Sequence, residues 1–160
     1  MADTQKQRIL FVADQADKHG ARAILSSAGY DVALRQDMVS ALRYLIAQKT
    51  DMVVADCALE GDRGIEFCRT VCNDSQYANV PIVMLGQDNE NATVCLQAFA
   101  AGASDFVDVP FVPAVLLARV GRQLRNNIQG VIGASLSVQV TDKELPGILQ
   151  YLETEVKTGR

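Results

Sequence analysis

The chain has few of the residues and segments that mark metal-binding, catalytic and membrane proteins. His19 is its single histidine, and its four cysteines form no CxxC pair. Neither a Cys/His catalytic set nor a zinc site with paired ligands is therefore predicted. No apolar run approaches the roughly 20 residues that cross a bilayer. Residues 1–8 also lack the apolar segment of a signal peptide. We expect a cytoplasmic protein with no membrane partner.

The length and composition of the chain indicate one packed domain and allow part of a second domain. The chain has 160 residues, of which 49% are hydrophobic and 21% are charged. Such a composition supports a buried core and argues against disorder. The formal net charge is −4. Because binding to phosphates needs an excess of cationic side chains, we expect no nucleic-acid partner.

Short apolar runs alternate with segments of helical spacing along the first three quarters of the chain. Five runs of strand length are predicted at residues 9–13, 30–34, 52–55, 80–85 and 105–109. A helix is expected after each run, the last ending near Arg125. Runs that are apolar on both faces are typical of a buried parallel sheet covered by helices on both sides. Five units are too few to close a barrel, so the prediction is a three-layer, doubly wound α/β sandwich.

Two carboxylates follow strands at the edge where ligands bind in such sheets. Asp14 comes just after the first predicted strand, and Asp56 comes at the end of the third. Together they could hold Mg²⁺, and a carboxylate at this edge could act as a nucleophile that accepts a phosphoryl group. The alternative is that both are solvated acids at strand ends.

The order and spacing of several motifs resemble the receiver domain of bacterial two-component response regulators. The matching segments are Ile9–Asp14, Ala28–Val32, Asp51–Asp56 with Gly64 after it, Pro81–Leu85 and Ala101–Phe111. The resemblance covers residues 8 to about 125. It implies the flavodoxin-like strand order 2-1-3-4-5, a signalling role in a phosphorelay, and no enzymatic activity of the chain's own. An aspartyl-phosphate hydrolase is not favoured, because no general acid or base accompanies Asp56.

The resemblance also assigns candidate site residues. Asp56 takes the place of the phosphate-accepting aspartate, and Asp14 takes that of the second residue of the acidic pair, with Asp17 as its alternative. The backbone carbonyl of Ala58 would complete the protein ligands of a weakly held Mg²⁺.

Several family positions are altered in this sequence. Gly86 replaces a hydroxyl residue, Val109 replaces a lysine, and Phe106 occupies the aromatic switch position without a hydroxyl. Ala13 replaces one acid of the acidic pair, and Glu60 stands where a proline is usual. These losses predict a pseudo-receiver, impaired in phosphorylation, that acts through protein–protein contact. The alternative is an authentic phosphoacceptor, phosphorylated on Asp56 by a histidine kinase. The candidate partners are that kinase, a downstream signalling protein or a second copy of the chain.

The character of the sequence changes after Arg125. We expect residues 1–125 to form the receiver-like domain and residues 126–160 to form a linker and a strand-helix extension. Alternation at residues 136–140 predicts a strand, and Pro146 suits the first turn of a helix. One side of that helix would carry Leu145, Leu149, Leu152 and Val156. The segment resembles the opening of a PATAN-type domain, and we expect it to pack on the receiver body or on a second chain.

Overall fold

The fold was described from a computed structural model of the chain. It describes residues 5–15, 19–87 and 92–134, together with Ile148 and Leu152; for residues 127–134 only the backbone is described. The strands are β1 (Arg8–Val12), β2 (Asp31–Arg35), β3 (Met52–Asp56), β4 (Ile82–Gly86) and β5 (Asp105–Asp108). The helices are α1 (Ala21–Ser27), α2 (Met38–Ala47), α3 (Arg63–Cys72), α4 (Thr93–Ala101) and α5 (Pro113–Ala134), with one 3-10 turn at Ser75–Tyr77.

The five strands form one parallel sheet in the order β2-β1-β3-β4-β5, which confirms the predicted fold. Because all the strands point the same way, their carboxyl ends share one edge of the sheet. Helix α3 leads from the carboxyl end of β3 back to the amino edge, where β4 begins. Asp56 and Gly86, the last residues of β3 and β4, therefore lie at the same edge.

Each face of the sheet carries its own apolar core. On one face, side chains from α2, α3 and α4 pack against alternate strand residues such as Leu10, Val53 and Met84. On the other face, α1 and α5 cover Phe11, Val54 and their neighbours. Residues of β3 and β4 are buried throughout, as expected for central strands covered on both sides.

Local signals fix several helix ends. The carboxylate of Asp37 accepts a hydrogen bond of 2.8 Å from the backbone N–H of Ser40, which makes Asp37 the N-cap of α2. Helix α4 ends at Gly102, whose φ of 110° suits glycine. The Val109–Pro110 peptide bond is cis.

Helix α5 is longer than the sequence predicted. It continues through residues 126–130, where we expected a linker, and ends at Ala134. Apolar residues at helical spacing after Leu124, such as Ile128 and Ile132, sustain the pattern in this stretch. The strand predicted at residues 136–140 lies outside the described residues. Of the predicted final helix only Ile148 and Leu152 are described, and both are helical. No described helix is both long and apolar enough to span a membrane.

Candidate functional site

Asp56 is held at the end of β3 by the loop that follows it. The side chain is only 4% exposed. Its Oδ1 accepts a hydrogen bond of 2.8 Å from the backbone N–H of Ala58. Its Oδ2 is buried and has no hydrogen-bond partner among the residues that the structure describes. A buried carboxylate oxygen without a partner is costly, so this atom is suited to bind a cation or to attack an electrophile.

Gly64 allows the start of α3 to press against this loop. A Cβ atom on residue 64 would lie 2.6 Å from the Cα of Cys57, well inside any allowed contact. The backbone N–H of Gly64 donates to the carbonyl of Cys57 at 3.3 Å. Helix α3 is thereby fixed directly behind Asp56.

Glu60 ties the same loop to α2. It has a positive φ of 47°. Its Oε2 accepts a hydrogen bond of 3.1 Å from the backbone N–H of Met38 and lies 3.7 Å from Arg63 Nη1. The residue that replaces the usual proline therefore stabilises the loop by a capping contact on a neighbouring helix.

Asp56 opens into a cavity of about 670 Å³ at the carboxyl edge of the sheet. The loop after β3 supplies Cys57 and Ala58 to its wall. Further lining residues come from the chain before α1, from α3, from the end of β4, from α4 and from the end of β5: His19, Asp62, Ile65, Glu66, Arg69, Gly86, Gln87, Val94, Gln97 and Val109. The candidate phosphoacceptor thus has room for a ligand beside it.

The predicted metal ligands are only partly brought together. Asp56 and Ala58 line the same cavity, whereas Asp14 is exposed at the end of β1 and is not among the lining residues. Asp17, its alternative, lies outside the described residues. Within the described ranges no group of three or more His, Cys, Asp or Glu side chains is placed to hold a metal. The donors at Asp56 and Ala58 nevertheless suit Mg²⁺, which keeps several waters and needs few protein oxygens.

The switch positions are occupied by a packed apolar contact. Phe106 is 7% exposed, and its ring lies against Gly86. A Cβ atom on residue 86 would come within 3.2 Å of the Phe106 ring and 3.1 Å of the Cys57 Sγ. The Phe106 ring can occupy this position because residue 86 has no side chain.

Val109 replaces the expected cation at the end of β5. Its backbone N–H donates to the carbonyl of Gly86 at 3.1 Å, and its half-buried side chain lines the cavity. Arg69, exposed on α3, is the one arginine or lysine among the described residues that line this cavity. At residue 109 the cavity wall therefore presents methyl groups instead of an ammonium group.

Sequence reasoning missed the contribution of α3 and of His19 to the cavity. Asp62, Ile65, Glu66 and Arg69 recur at helical spacing from the loop onward, which places them on one face. That spacing was visible in the sequence. His19 packs edge-on against Phe111, with ring centroids 6.5 Å apart, and the sequence contains no signal for this contact.

Two thiols on the same face of α3 interact with each other. A hydrogen bond with Cys72, and then burial, raise the pKa of the Cys68 thiol above its ordinary value. The same hydrogen bond lowers the pKa of Cys72, although burial opposes it. Cys72 Sγ also lies 3.4 Å from the carbonyl oxygen of Gly102. The pair consists of packed thiols that tie α3 to the end of α4.

Comparison with known proteins identifies the family. Residues 9–121 match the model of the response regulator receiver domain. The chain is 38% identical over 126 residues to the DNA-binding response regulator MtrA of Mycobacterium tuberculosis, which covers 78% of this chain and 54% of MtrA. It is 31% identical to the phosphate regulon transcriptional regulatory protein PhoB of Pseudomonas aeruginosa, over 81% of this chain and 57% of PhoB. The crystal structure of the chemotaxis response regulator CheY4 of Vibrio cholerae superposes with a TM-score of 0.66, at 28% identity, over 74% of this chain and 99% of CheY4.

These relatives correct the expectation that nucleic acid is not a partner. That prediction was wrong, because similar curated proteins are DNA-binding or transcriptional regulators by name. The prediction rested on the net charge of the chain. The charge of a receiver domain gives no information about what the other parts of a regulator bind. The chain spans about half the length of the curated relatives it matches.

The family match runs along the sheet and its helices, and Asp56 lies at the end of β3. Together these observations assign the chain to one family. The chain belongs to the response regulator receiver family of two-component signalling proteins.

Proposed function

We propose that this receiver is impaired in phosphoryl transfer to Asp56 and signals mainly through contact with other proteins. The observation that carries the proposal is the composition of the cavity wall. The side chain of Val109 and the bare backbone of Gly86 line the same cavity as Asp56. Neither can donate a hydrogen bond from a side chain to a phosphoryl oxygen.

Electrostatics explain why this wall should slow the reaction. Phosphoryl transfer is catalysed almost wholly by positioning and by charges that meet the phosphoryl oxygens. Losing one such contact typically costs about 3 kcal/mol in the transition state, a hundredfold to a thousandfold in rate. Arg69 lies on the exposed side of the cavity and belongs to a different element from the missing lysine.

The residues that would connect phosphorylation at the cavity with the surface of α4, β5 and α5 are also altered. In a switch of this kind a polar group is drawn toward the bound phosphate and a second element repacks. Gly86 has no such group, and Phe106 is buried against it without a hydroxyl. We infer that phosphate at Asp56 would bias this surface weakly.

An authentic phosphoacceptor is the second candidate, and the geometry of Asp56 favours it. Its Oδ1 is fixed by the N–H of Ala58, and its buried Oδ2 is available for reaction. Mg²⁺ would be held through Asp56 and the carbonyl of Ala58, whereas Asp14, the further ligand expected from the sequence, is exposed and does not line the cavity. The ion would supply positive charge to the transferring group.

We infer that the output of the receiver lies in another segment or partner protein and that the chain acts in the cytoplasm. The names of MtrA and PhoB support an output that reaches DNA. Residues from 133 onward would begin the next domain, and their resemblance to a PATAN-type opening at 133–136 and 145–153 is the support for that proposal. A histidine kinase and a downstream signalling protein are the proposed partners of the receiver itself.

Incubation with acetyl phosphate and Mg²⁺, followed by intact-mass spectrometry, separates the two candidates. We expect slow or undetectable addition of phosphate to the unaltered chain. The matched control is Asp56→Asn, which keeps the shape of the side chain and removes the acceptor. Rapid, near-stoichiometric addition that is lost in Asp56→Asn would establish the authentic phosphoacceptor instead.

A further inference from the structure

A residue far along the chain is buried in the receiver core. Ile148 is 0% exposed and belongs to the apolar cluster formed by α2, α3 and α4 on one face of the sheet. Leu152, four residues later, packs against the same cluster. Residues four apart on a helix share a face, so the two side chains form one apolar contact surface. Leu152 belongs to the predicted apolar side of this helix, and Ile148 adds to it. Leu149, also predicted there, lies outside the described residues.

Asp74 holds the backbone of the same segment. Its Oδ1 accepts a hydrogen bond of 2.9 Å from the N–H of Gln76, and its Oδ2 accepts one of 3.1 Å from the N–H of Ile148. The first turn of a helix has N–H groups without partners in that helix, and a carboxylate is the favoured acceptor there. If the final helix begins at Pro146, Ile148 lies within its first turn.

We propose that Asp74 and the apolar surface beside it form a docking site whose occupant is the C-terminal segment of this chain. The carboxylate caps the segment, and the apolar surface receives Ile148 and Leu152. A single side chain thereby couples two elements that are separated by 74 positions in sequence. Asp74 acts as a positioning residue for the segment and for the 3-10 turn together.

The docking site and the cavity at Asp56 lie at different edges of the sheet. Asp74 follows α3 and so lies at the amino edge of the sheet, whereas Asp56 lies at the carboxyl edge. Helix α5 covers the face of the sheet opposite to the cluster that holds Ile148. The stretch between Ala134 and Ile148 can reach at most about 50 Å, which is ample for a sheet of five strands. The contact between Asp74 and Ile148 therefore lies at the opposite edge of the sheet from Asp56.

Amide hydrogen exchange on the full chain, followed by NMR, tests the proposal. In the unaltered protein the N–H of Ile148 should exchange at least tenfold slower than the same amide in an unfolded chain. Asp74→Ala should bring the Ile148 and Gln76 amides close to the unfolded rate. Asp74→Asn has one side-chain acceptor oxygen instead of two. One of these two amides should therefore stay protected, and the other should exchange close to the unfolded rate. Ile148→Asp should undock the segment and leave the Gln76 amide protected.

Asp37→Ala is the matched control. It removes the capping carboxylate of α2, a comparable loss at a helix start, and should leave the Ile148 amide protected. Exchange at the unfolded rate in the unaltered protein would overturn the proposal, as would unchanged protection in Asp74→Ala. Protection that grows with protein concentration would overturn it as well, because the occupant would then be the segment of a second copy.

Discussion

The ring of Phe106 lies over Gly86 on the neighbouring strand, within 3.2 Å of where a Cβ atom on residue 86 would stand. The register explains the contact. Phe106 is directly opposite Met84, and Gly86 is two residues further along β4 on the same face of the sheet. Side chains lean along the strand direction, so the ring fills the space that a larger residue at 86 would occupy.

Substitution at Gly86 should therefore be limited by the Phe106 ring. Gly86→Ala should lower the free energy of unfolding by about 1 kcal/mol, and Gly86→Thr by about 2–3 kcal/mol, because each overpacks a filled site. Phe106→Leu in the same chain should relieve part of that cost. Urea denaturation of the single and double variants would measure the coupling. Strictly additive changes would show that the ring does not limit residue 86.

A cation at residue 109 should raise the rate of phosphorylation more effectively than a hydroxyl at residue 86. Val109→Lys adds the missing charge to the cavity wall without displacing Phe106. We expect it to raise the rate of phosphate addition to Asp56 about a hundredfold. Val109→Met, of similar length and without charge, should leave the rate unchanged. Intact-mass time courses with acetyl phosphate and Mg²⁺ would show the difference, and equal rates in both variants would contradict it.

Tyr77 should contribute stability that is lost in alkaline solution. Its hydroxyl donates to the carbonyl of Leu45 at 3.0 Å. Burial, and then the charge of Asp74, raise the pKa of the phenol in the folded protein. The folded state therefore binds the phenolic proton more tightly than the unfolded state does. The resulting stability is present below the unfolded pKa near 10 and is lost as pH rises through the folded pKa.

Tyr77→Phe tests this prediction. At pH 7 it should cost about 1 kcal/mol, the usual net value of a buried hydrogen bond. The free energy of unfolding, measured with urea, should also fall less steeply between pH 9 and 11 in this variant. Tyr30→Phe, on the other face of the sheet, is the control and should keep that decline. A steep alkaline decline that persists in Tyr77→Phe would place its origin elsewhere.

The ion pair between β5 and α5 should contribute to stability in a salt-dependent way. Arg119 Nη1 lies 2.9 and 3.1 Å from the two carboxylate oxygens of Asp105, which also accepts from the N–H of Phe106. Because Arg119 is half-exposed, its removal in Arg119→Ala should cost only about 1 kcal/mol. The effect should shrink in 1 M NaCl. Arg122→Ala, an exposed arginine on the same helix, should change stability by less than about 0.5 kcal/mol.

The sequence was sufficient to predict the sheet and the position of Asp56. Continuous apolar runs mark buried parallel strands, and residues after those runs must meet at one edge. The packing of Phe106 on Gly86 could not be predicted, because it depends on cross-strand register and on a side-chain rotamer. Leu96 and Phe99 on α4 are exposed, which the sequence does not indicate, because an apolar run on a helix does not show which side faces the core.

Asp14 illustrates a different limit. Its position after β1 was predicted correctly, but a loop residue can point toward the cavity or toward solvent. The structure leaves it exposed. Strand periodicity fixes side-chain direction only as far as the last paired residue, Val12.

The strand order has a consequence for folding during synthesis. Because β1 lies between β2 and β3, three adjacent strands are complete once residues 8–56 have emerged. Strands β4 and β5 then add in sequence order along one side of this sheet. Domains generally begin to fold from the amino terminus as the chain is made. Asp56 is the last residue of that first sheet, so this candidate acceptor would be in place before Gly86 and Val109 arrive to complete the wall of its cavity.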